Sequence, residues 1–295
     1  MLVVLYHCRS TDALIIHPIT KSPNHPILMN TSEKRAQMPK GTNSVLDRRT
    51  VVNGNANLLN IVKRGHSVLD VGCGSGAITK DIAQLVGATG SVTGIDSSDH
   101  LIQQAKDNFS AVSNLTFEVA DIHSYPAVKA FDVVTSARVL QWLSTPAKAL
   151  LKMKALIKPA GTLTILDYNH EKVEFSPGIP ASMQRVYDAF LRWRSDAGMD
   201  NQIADNLKGM FADLGMVDIT VDDYSEVSVY GKEVFHEDLK LWIKVAEGRG
   251  PQLVADKYIT EEERQSAISD YGRWIEQDAK YMKLYLKAVT GSVSH

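Results

Sequence analysis

The sequence predicts an α/β fold built on a doubly wound, mostly parallel sheet of seven strands. Between His66 and Tyr168, short segments rich in Val and Leu alternate with segments of helical spacing, each about ten residues long. A strand–helix–strand rhythm of this length implies right-handed crossovers and therefore a parallel sheet. Near the end of the chain, apolar and polar residues alternate with period two over 281–289, which indicates one more strand rather than a helix.

Residues typical of helix ends and of breaks indicate where several elements begin and end. A helix over 77–87 stops at Gly87, a second begins at Ser98 or Asp99, and Pro146 occupies the first turn of a third. A helical segment over 44–63 is expected to break near Gly54. The predicted strands are 66–71, 91–96, 115–121, 130–136, 161–168, 216–224 and 281–289, and the other predicted helices are 98–109, 145–157, 180–197, 203–214, 233–247 and 261–280.

The composition excludes several function classes. The chain has 295 residues, 44% hydrophobic and 22% charged, as in an ordinary globular protein. Its net charge of −2 offers no basic surface for a polyanion, so no nucleic-acid partner is predicted. Cys8 and Cys73 cannot supply a disulfide framework, which favours a reducing, cytoplasmic location. No apolar run approaches the roughly 20 residues that span a bilayer, so no membrane span is predicted.

The segment "VLDVGCGSGAIT" (68–79) has the pattern of a ligand-binding loop. Gly72, Gly74 and Gly76 follow the first strand and lead into a helix, and glycine there lets the backbone turn sharply and approach a ligand closely. The loop lacks the Gly-Lys-Ser/Thr of a Walker A motif and fits a dinucleotide fingerprint only in its GxGxxA form. A carboxylate at Asp70 would repel a pyrophosphate but pair with an ammonium or sulfonium group.

Two more acidic residues end the next two strands. Asp96 lies 20 residues after Gly76, where a carboxylate can accept hydrogen bonds from ribose hydroxyls. Asp121 ends the third strand and is placed to face an adenine amino group. Together with Asp70, these residues suggest a cofactor that carries both an adenosine and an amino acid.

Five segments of the chain resemble the successive motifs of the class I S-adenosylmethionine-dependent methyltransferases. They are "VLDVGCGSG", "GID", "VAD", "FDVVTSARVLQWL" and "LKMKALIKPAGTLTI". Within that superfamily they are most similar to the small-molecule methyltransferases related to the ubiquinone and menaquinone biosynthesis enzymes. The resemblance covers 68–168 well. It implies a Rossmann-like sheet of seven strands with an antiparallel last strand.

The same resemblance implies the cofactor site. Asp70 and the loop from Gly72 to Gly76, with Cys73 inside it, would hold the methionine part of S-adenosylmethionine. Asp96 would bind the ribose and Asp121 the adenine. The remaining expected contacts with the cofactor are Ser97 and Ile122 along the nucleoside, Arg138 after the fourth strand, and Arg49 or Arg48, which would pair with the cofactor carboxylate. No metal site is predicted.

Candidates for catalysis lie after strands four and five. His170 is the best candidate for a general base by position and intrinsic pKa, and a base helps only if the acceptor atom carries a proton. A solvent-facing loop histidine is an equally good interpretation. Gln141 is a candidate to orient the substrate or an ordinary helix-surface residue, and Tyr168 lies at the end of strand five.

The domain layout follows from these assignments. Residues 1–40 contain four prolines and are expected to form an extended N-terminal arm. Residues 41–295 would form the methyltransferase domain, with 60–170 as its cofactor-binding half and 175–200 and 232–280 as helical lid segments. Aromatic residues in those segments are usually the packed face of their helices, but a lid of this size favours a bulky, partly apolar small molecule as substrate.

Two other functions stay open at this point. One is a nicotinamide-dependent oxidoreductase, against which Asp70 and the glycine spacing argue. The other is a non-catalytic subunit that binds S-adenosylmethionine without turnover, and intact cofactor motifs argue against it. The chain is expected to be a monomer or a homodimer.

Overall fold

The computed structural model describes residues 31–36, 49–128 and 130–294. Its strands are β1 Ser67–Val71, β2 Ser91–Asp96, β3 Leu115–Val119, β4 Phe131–Ala137, β5 Ile157–Ser176, β6 Val217–Asp223, β7 Glu226–Val229 and β8 Tyr281–Ser292. Its helices are α1 Thr31–Ala36, α2 Val51–Gly54, α3 Leu58–Ile61, α4 Ala77–Val86, α5 Asp99–Phe109, α6 Pro146–Ala155, α7 Ala181–Ser195, α8 Ile203–Asp213, α9 Phe235–Leu239, α10 Leu241–Gly248, α11 Gly250–Ala255 and α12 Glu261–Gln277, with a 3₁₀ turn at Leu140–Trp142.

All strands belong to one sheet with the order β3-β2-β1-β4-β5-β8-β6, and β7 also pairs with β8. The pairs from β3 to β5 are parallel, whereas β8 runs antiparallel to β5, β6 and β7. The α/β class, the mostly parallel sheet and the antiparallel last strand are therefore confirmed. The predicted number of seven strands is wrong, because β7 is an additional short strand.

The two faces of the sheet are covered by different helices. Val68 of β1 packs with α2, α3 and α4 in one apolar cluster, whereas its neighbour Leu69 packs with α6 and α8 in another. Successive side chains of a strand point to opposite faces, so one buried strand needs both layers. The sheet is thus doubly wound, as predicted.

The largest difference between the predicted and the observed elements is the length of β5. It continues past Tyr168 to Ser176, where it pairs with Tyr281 at the start of β8. The register shifts between Asn169 and Glu174. The residues of this extension are mostly polar, so they lack the apolar run that predicts a buried strand. The predicted helix over 233–247 divides into α9 and α10, and α11 was not predicted.

The helical insertions pack together beyond the sheet. Helices α7 and α9 to α12 form one apolar cluster with the end of β5 and the first half of β8. Helix α1 lies against this cluster, where Arg35 stacks over the Trp193 ring at 4.9 Å and Arg249 donates to the carbonyl oxygens of Arg35 and Ala36. The remainder of the predicted N-terminal arm lies outside the described residues. Among the described residues, no helix has the length and apolar character needed to cross a bilayer.

Candidate functional site

The glycine loop after β1 has the backbone conformation that its sequence predicts. Gly72, Gly74 and Gly76 have φ values of 77°, 55° and 81°, in the left-handed region. A Cβ atom at Gly72 would lie 2.3 Å from a methyl group of Val139, and one at Gly76 would lie 2.5 Å from the Phe117 ring. Two of the three glycines are therefore required by the packing of the loop on the protein itself, in addition to any ligand.

Asp70 joins β1 to the first turn of α4. Its side chain is 5% exposed, and the Thr79 hydroxyl donates to its Oδ2 at 2.7 Å. Burial, with a smaller contribution from the charge of Asp96, raises the pKa of Asp70 to about 6, while the bond from Thr79 lowers it. The carboxylate thus holds α4 against the glycine loop, which fixes the loop's position at the end of β1.

Asp96 ties the loop to β2. Its two oxygens accept hydrogen bonds from the backbone amides of Gly74, at 3.0 Å, and Ser98, at 2.9 Å. Burial raises the pKa of Asp96, and both amide bonds lower it. A carboxylate has about four lone-pair positions, so two remain for a ligand such as a ribose diol.

An open cleft lies at the carboxyl ends of β2 and β3. Its volume is about 440 Å³. Two predicted nucleoside contacts, Ser97 and Asp121, line it, and both are exposed. Tyr125 and Pro126 also line it. The side chain of Ile122, in contrast, is 6% exposed and packs in the core, so the structure does not bring it to the cleft.

Cys73 contributes little chemistry of its own. Burial and the nearby carboxylates raise the pKa of its thiol well above the ordinary value. The thiol is therefore not a nucleophile at neutral pH, and the loop uses this residue for its backbone and its packing.

Arg138 follows β4 with a φ of 62° and is 7% exposed. Its guanidinium donates to the Tyr168 hydroxyl at 2.8 Å, to the carbonyl oxygen of Gly54 and to the Glu226 carboxylate. These contacts raise the pKa of Arg138 despite the opposing effect of burial. The structure thus gives Arg138 an internal role that the sequence does not predict, and its contact with a cofactor stays a prediction.

Arg49 lies beside Arg138, just before α2. Burial, and then the positive charge of Arg138, lower the pKa of Arg49. Within the described part of the chain, the Arg49 guanidinium has no hydrogen-bond or ion-pair partner. Glu226 forms its ion pair with Arg138, so the charge of Arg49 stays without a paired carboxylate at this edge of the sheet. Arg48, the alternative candidate, lies outside the described residues.

The three candidate catalytic residues belong to one network. His170 Nε2 lies within hydrogen-bond distance of Gln141 Oε1, and Gln141 Nε2 donates at 3.1 Å to the carbonyl oxygen of Arg138, which in turn binds Tyr168. His170 is 8% exposed and Gln141 is 3% exposed. The interpretations of a solvent-facing histidine and of a helix-surface glutamine are both wrong, since β5 continues through His170 and the 3₁₀ turn buries Gln141.

Three residues of this region were not predicted from the sequence. Asp167 is fully buried and accepts from the backbone amides of Gln141 and Tyr168. Arg194 of α7 is fully buried against Trp142. Glu226 lies on β7, the strand that was missed. An acidic residue directly before Tyr168 was a signal in the sequence, whereas nothing in the sequence links 194 or 226 to this site.

The aromatic residues of the predicted lid segments belong to one apolar cluster, named the lid cluster below. They are Tyr187, Phe190, Trp193, Trp242, Tyr271 and Trp274, none more than 8% exposed. Phe190 also reaches His170, with ring centroids 5.9 Å apart. The lid cluster is thus continuous with the histidine.

Comparison with known proteins places the chain in a family. A family model described as a methyltransferase domain matches residues 62–213, just over half of the chain. The ubiquinone/menaquinone biosynthesis C-methyltransferase UbiE of Klebsiella pneumoniae is 32% identical over 133 residues, 44% of this chain and 50% of that protein. An uncharacterized 37.1 kDa protein in transposon TN4556 of Streptomyces fradiae is 35% identical over 102 residues, 34% of this chain and 30% of that protein. The chain spans at most half the length of these relatives.

Solved structures show the same fold at low identity. Phosphoethanolamine N-methyltransferase 2 of Haemonchus contortus, in complex with phosphomonomethylethanolamine and S-adenosylhomocysteine, has a TM-score of 0.54 at 17% identity, over 86% of this chain and 56% of that one. The YcgJ protein of Bacillus subtilis has a TM-score of 0.53 at 17% identity, over 82% and 97%. The chain belongs to the methyltransferase domain family, and its resemblance to the class I S-adenosylmethionine-dependent methyltransferases related to the ubiquinone and menaquinone enzymes is confirmed.

Proposed function

We propose that the protein transfers a methyl group from S-adenosylmethionine to a small, bulky and partly apolar metabolite. The observation that carries the proposal is the arrangement at the carboxyl ends of β1, β2 and β3. Three features follow one another along this edge of the sheet. They are the glycine loop held by Asp70, the carboxylate of Asp96 with two acceptor positions free, and the cleft beside Asp121. Ligands of open α/β sheets bind at this edge.

The residues present fit the cofactor part by part. Asp96 has acceptor positions left for the ribose hydroxyls, and Ser97 and Asp121 line a cleft beside it. Arg49 supplies an unpaired positive charge for the carboxylate of the methionine part. When bound, S-adenosylmethionine supplies a methyl group already activated on a sulfonium, so transfer breaks one carbon–sulfur bond and leaves its electron pair on sulfur.

The chain's own contribution is mainly to hold the acceptor in line with that methyl group. Tyr168 and His170 lie within β5, next to the lid cluster, where an acceptor would approach. If the acceptor atom carries a proton, His170 is the group that removes it. The apolar lid cluster supports a partly apolar substrate. We expect the protein to be a monomer or a homodimer and to be located in the cytoplasm.

Isothermal titration with S-adenosylmethionine and then with S-adenosylhomocysteine tests the proposal. Saturable micromolar binding of both is expected. A parallel fluorescence titration with reduced nicotinamide cofactor should show none. Binding of the nicotinamide cofactor without S-adenosylhomocysteine would favour an oxidoreductase, and binding of neither by a folded sample would refute the cofactor site. Radiolabelled methyl transfer to candidate metabolites then separates an enzyme from a non-catalytic subunit.

A further inference from the structure

Gln141 has a partner for every polar group that it carries. Its backbone amide donates to Asp167 Oδ2 at 3.1 Å, and its carbonyl oxygen accepts from Arg194 Nη2 at 2.7 Å. Its side-chain Nε2 donates to the carbonyl oxygen of Arg138 at 3.1 Å, and its Oε1 lies against His170 Nε2. A glutamine bound in this way is held rigidly and has little capacity left to bind a substrate.

The partners of Gln141 also determine which way its amide faces. The Arg138 carbonyl only accepts hydrogen bonds, so the NH₂ end of the amide must point towards it. The oxygen end is then the one that meets His170. Because this oxygen can only accept, the ring nitrogen Nε2 of His170 has to carry the proton.

The other ring nitrogen of His170 is consequently the basic one. In a neutral imidazole with Nε2–H, Nδ1 keeps its lone pair. Within the part of the chain that the structure describes, Nδ1 has no hydrogen-bond partner. It is also not completely buried, so it keeps some contact with solvent. A proton acceptor with these properties lies next to Tyr168, whose ring centroid is 5.4 Å from that of the imidazole.

The surroundings keep the ring neutral at rest. Burial, and then the positive charge of Arg194 on α7, lower the pKa of His170 well below its ordinary value. Tyr187 of the same helix donates its hydroxyl to the His170 carbonyl oxygen. Asp167 and Tyr168 face the site from β5, and Arg138 faces it from the end of β4. Asp167 binds the amide of Gln141, so its charge acts on the imidazole only at a distance.

We propose that Gln141 is a positioning residue that, clamped by Asp167, Arg194 and Arg138, holds the imidazole of His170 in its Nε2–H tautomer so that Nδ1 accepts the proton of the methyl acceptor. The inference rests on the proposed function. As the new bond between the acceptor atom and the methyl carbon forms, the proton of the acceptor moves to Nδ1 and yields an imidazolium. Solvent removes that proton before the next turnover.

The tautomer is measurable without knowledge of the substrate. Long-range ¹H–¹⁵N correlation spectra of the full chain, labelled on histidine, report which ring nitrogen carries the proton, and His170→Asn identifies the signals of this residue among the nine histidines. We expect a single Nε2–H form between pH 6 and 8. Gln141→Leu removes the acceptor but keeps both backbone hydrogen bonds, and we expect a mixture of the two tautomers. Gln141→Glu keeps an acceptor oxygen and should retain Nε2–H with a higher titration pH.

The matched control is Gln184→Leu, since Gln184 is exposed on α7 and its side-chain amide donates to Asp188, one turn further along the same helix. It should leave the His170 signals unchanged. A wild-type spectrum with Nδ1–H, or an unchanged single tautomer in folded Gln141→Leu, would overturn the inference. Should Gln141→Leu fail to fold, the wild-type and Gln141→Glu spectra decide. Titration of the same samples with S-adenosylhomocysteine keeps the two proposals apart, because loss of binding by the wild type refutes the proposed function whatever the tautomer.

Discussion

Arg138 and Glu226 form an ion pair that connects the carboxyl end of β4 to β7. The arginine side chain is 5% exposed and the glutamate side chain 38%. The pair also holds Gly54, and with it the segment between Arg49 and α3, over the same edge of the sheet. The short strand β7, which pairs with β8, thus helps to hold the segment around Gly54 in place.

Glu226→Gln should destabilise the protein. The substitution leaves the buried guanidinium of Arg138 without its carboxylate partner, and loss of a hydrogen bond to a charged group costs about 1.5–3 kcal/mol in the free energy of unfolding. Urea denaturation measures the change. Glu174→Gln is the control, because the Glu174–Lys283 pair lies on the surface, where an ion pair contributes less than about 1 kcal/mol. Equal effects of the two substitutions would show that the Arg138–Glu226 pair contributes no more than a surface ion pair.

Asp70→Asn should change how stability depends on pH. The folded protein raises the pKa of Asp70 to about 6, so between pH 4 and 6 it keeps a proton that the unfolded chain has lost. That contribution to stability is complete below about pH 4 and is lost as the pH rises through 6. The amide keeps an acceptor for Thr79 and carries no charge, so the variant should gain about 3 kcal/mol relative to the wild type by pH 7.

Urea denaturation of both proteins at pH 4, 5, 6 and 7 gives this difference as a function of pH. Asp107→Asn, on the exposed surface of α5, controls for the loss of one carboxylate. A difference between Asp70→Asn and the wild type that stays constant across these values would mean that Asp70 is ionised throughout.

Gly76→Ala should lower the free energy of unfolding by about 2–5 kcal/mol. A left-handed backbone costs an L residue about 1–2 kcal/mol, and the new Cβ would clash with the Phe117 ring, at a further 1–3 kcal/mol. Gly209→Ala is the matched control: Gly209 lies in α8 with no atom near its added Cβ, so this change should stabilise by about 0.5–1 kcal/mol. Thermal unfolding at fixed pH compares them.

Asp96→Ala should weaken S-adenosylhomocysteine binding about 10- to 150-fold. A weakening of this size corresponds to the loss of about 1.5–3 kcal/mol of charge-assisted hydrogen bonding to the ribose. The variant also frees the amides of Gly74 and Ser98, so circular dichroism must confirm that it folds. Isothermal titration, with Asp107→Ala as the control on α5, gives the change. Binding as tight as that of the wild type would refute the ribose position.

The sequence predicts the part of the fold that obeys local rules. Strands β1 to β4 and helices α4 to α6 fall within a few residues of their predicted positions, because apolar periodicity and the caps at Ser98, Pro146 and Gly87 act over short distances. β7 was missed because four residues, Glu226–Val229, are too few for a pattern. Its partner β8 lies more than fifty residues away in the chain, so tertiary pairing alone makes this segment a strand.

The candidate site likewise has one part that the sequence predicts and one part that it does not. The glycine loop and the carboxylates of Asp70 and Asp96 could be predicted, since each immediately follows or ends a strand. The partners of His170 could not. Gln141 meets it only because β4 and β5 pair in parallel, and Arg194 meets Gln141 only because α7 folds back over that edge. Such contacts depend on packing between distant segments, which one sequence does not encode in any local pattern.

The position of β8 between β5 and β6 has a consequence for the synthesis of the chain. β6 and β7 both emerge from the ribosome before β8, yet β8 is the strand that pairs with each of them and connects them to β5. Until it is synthesised, two strands with exposed valines have no neighbour and β5 has an open edge. Unpaired edges of this kind favour association with other chains. We therefore expect the nascent protein to be most prone to aggregation, and most dependent on chaperones, in the interval between the synthesis of β6 and that of β8.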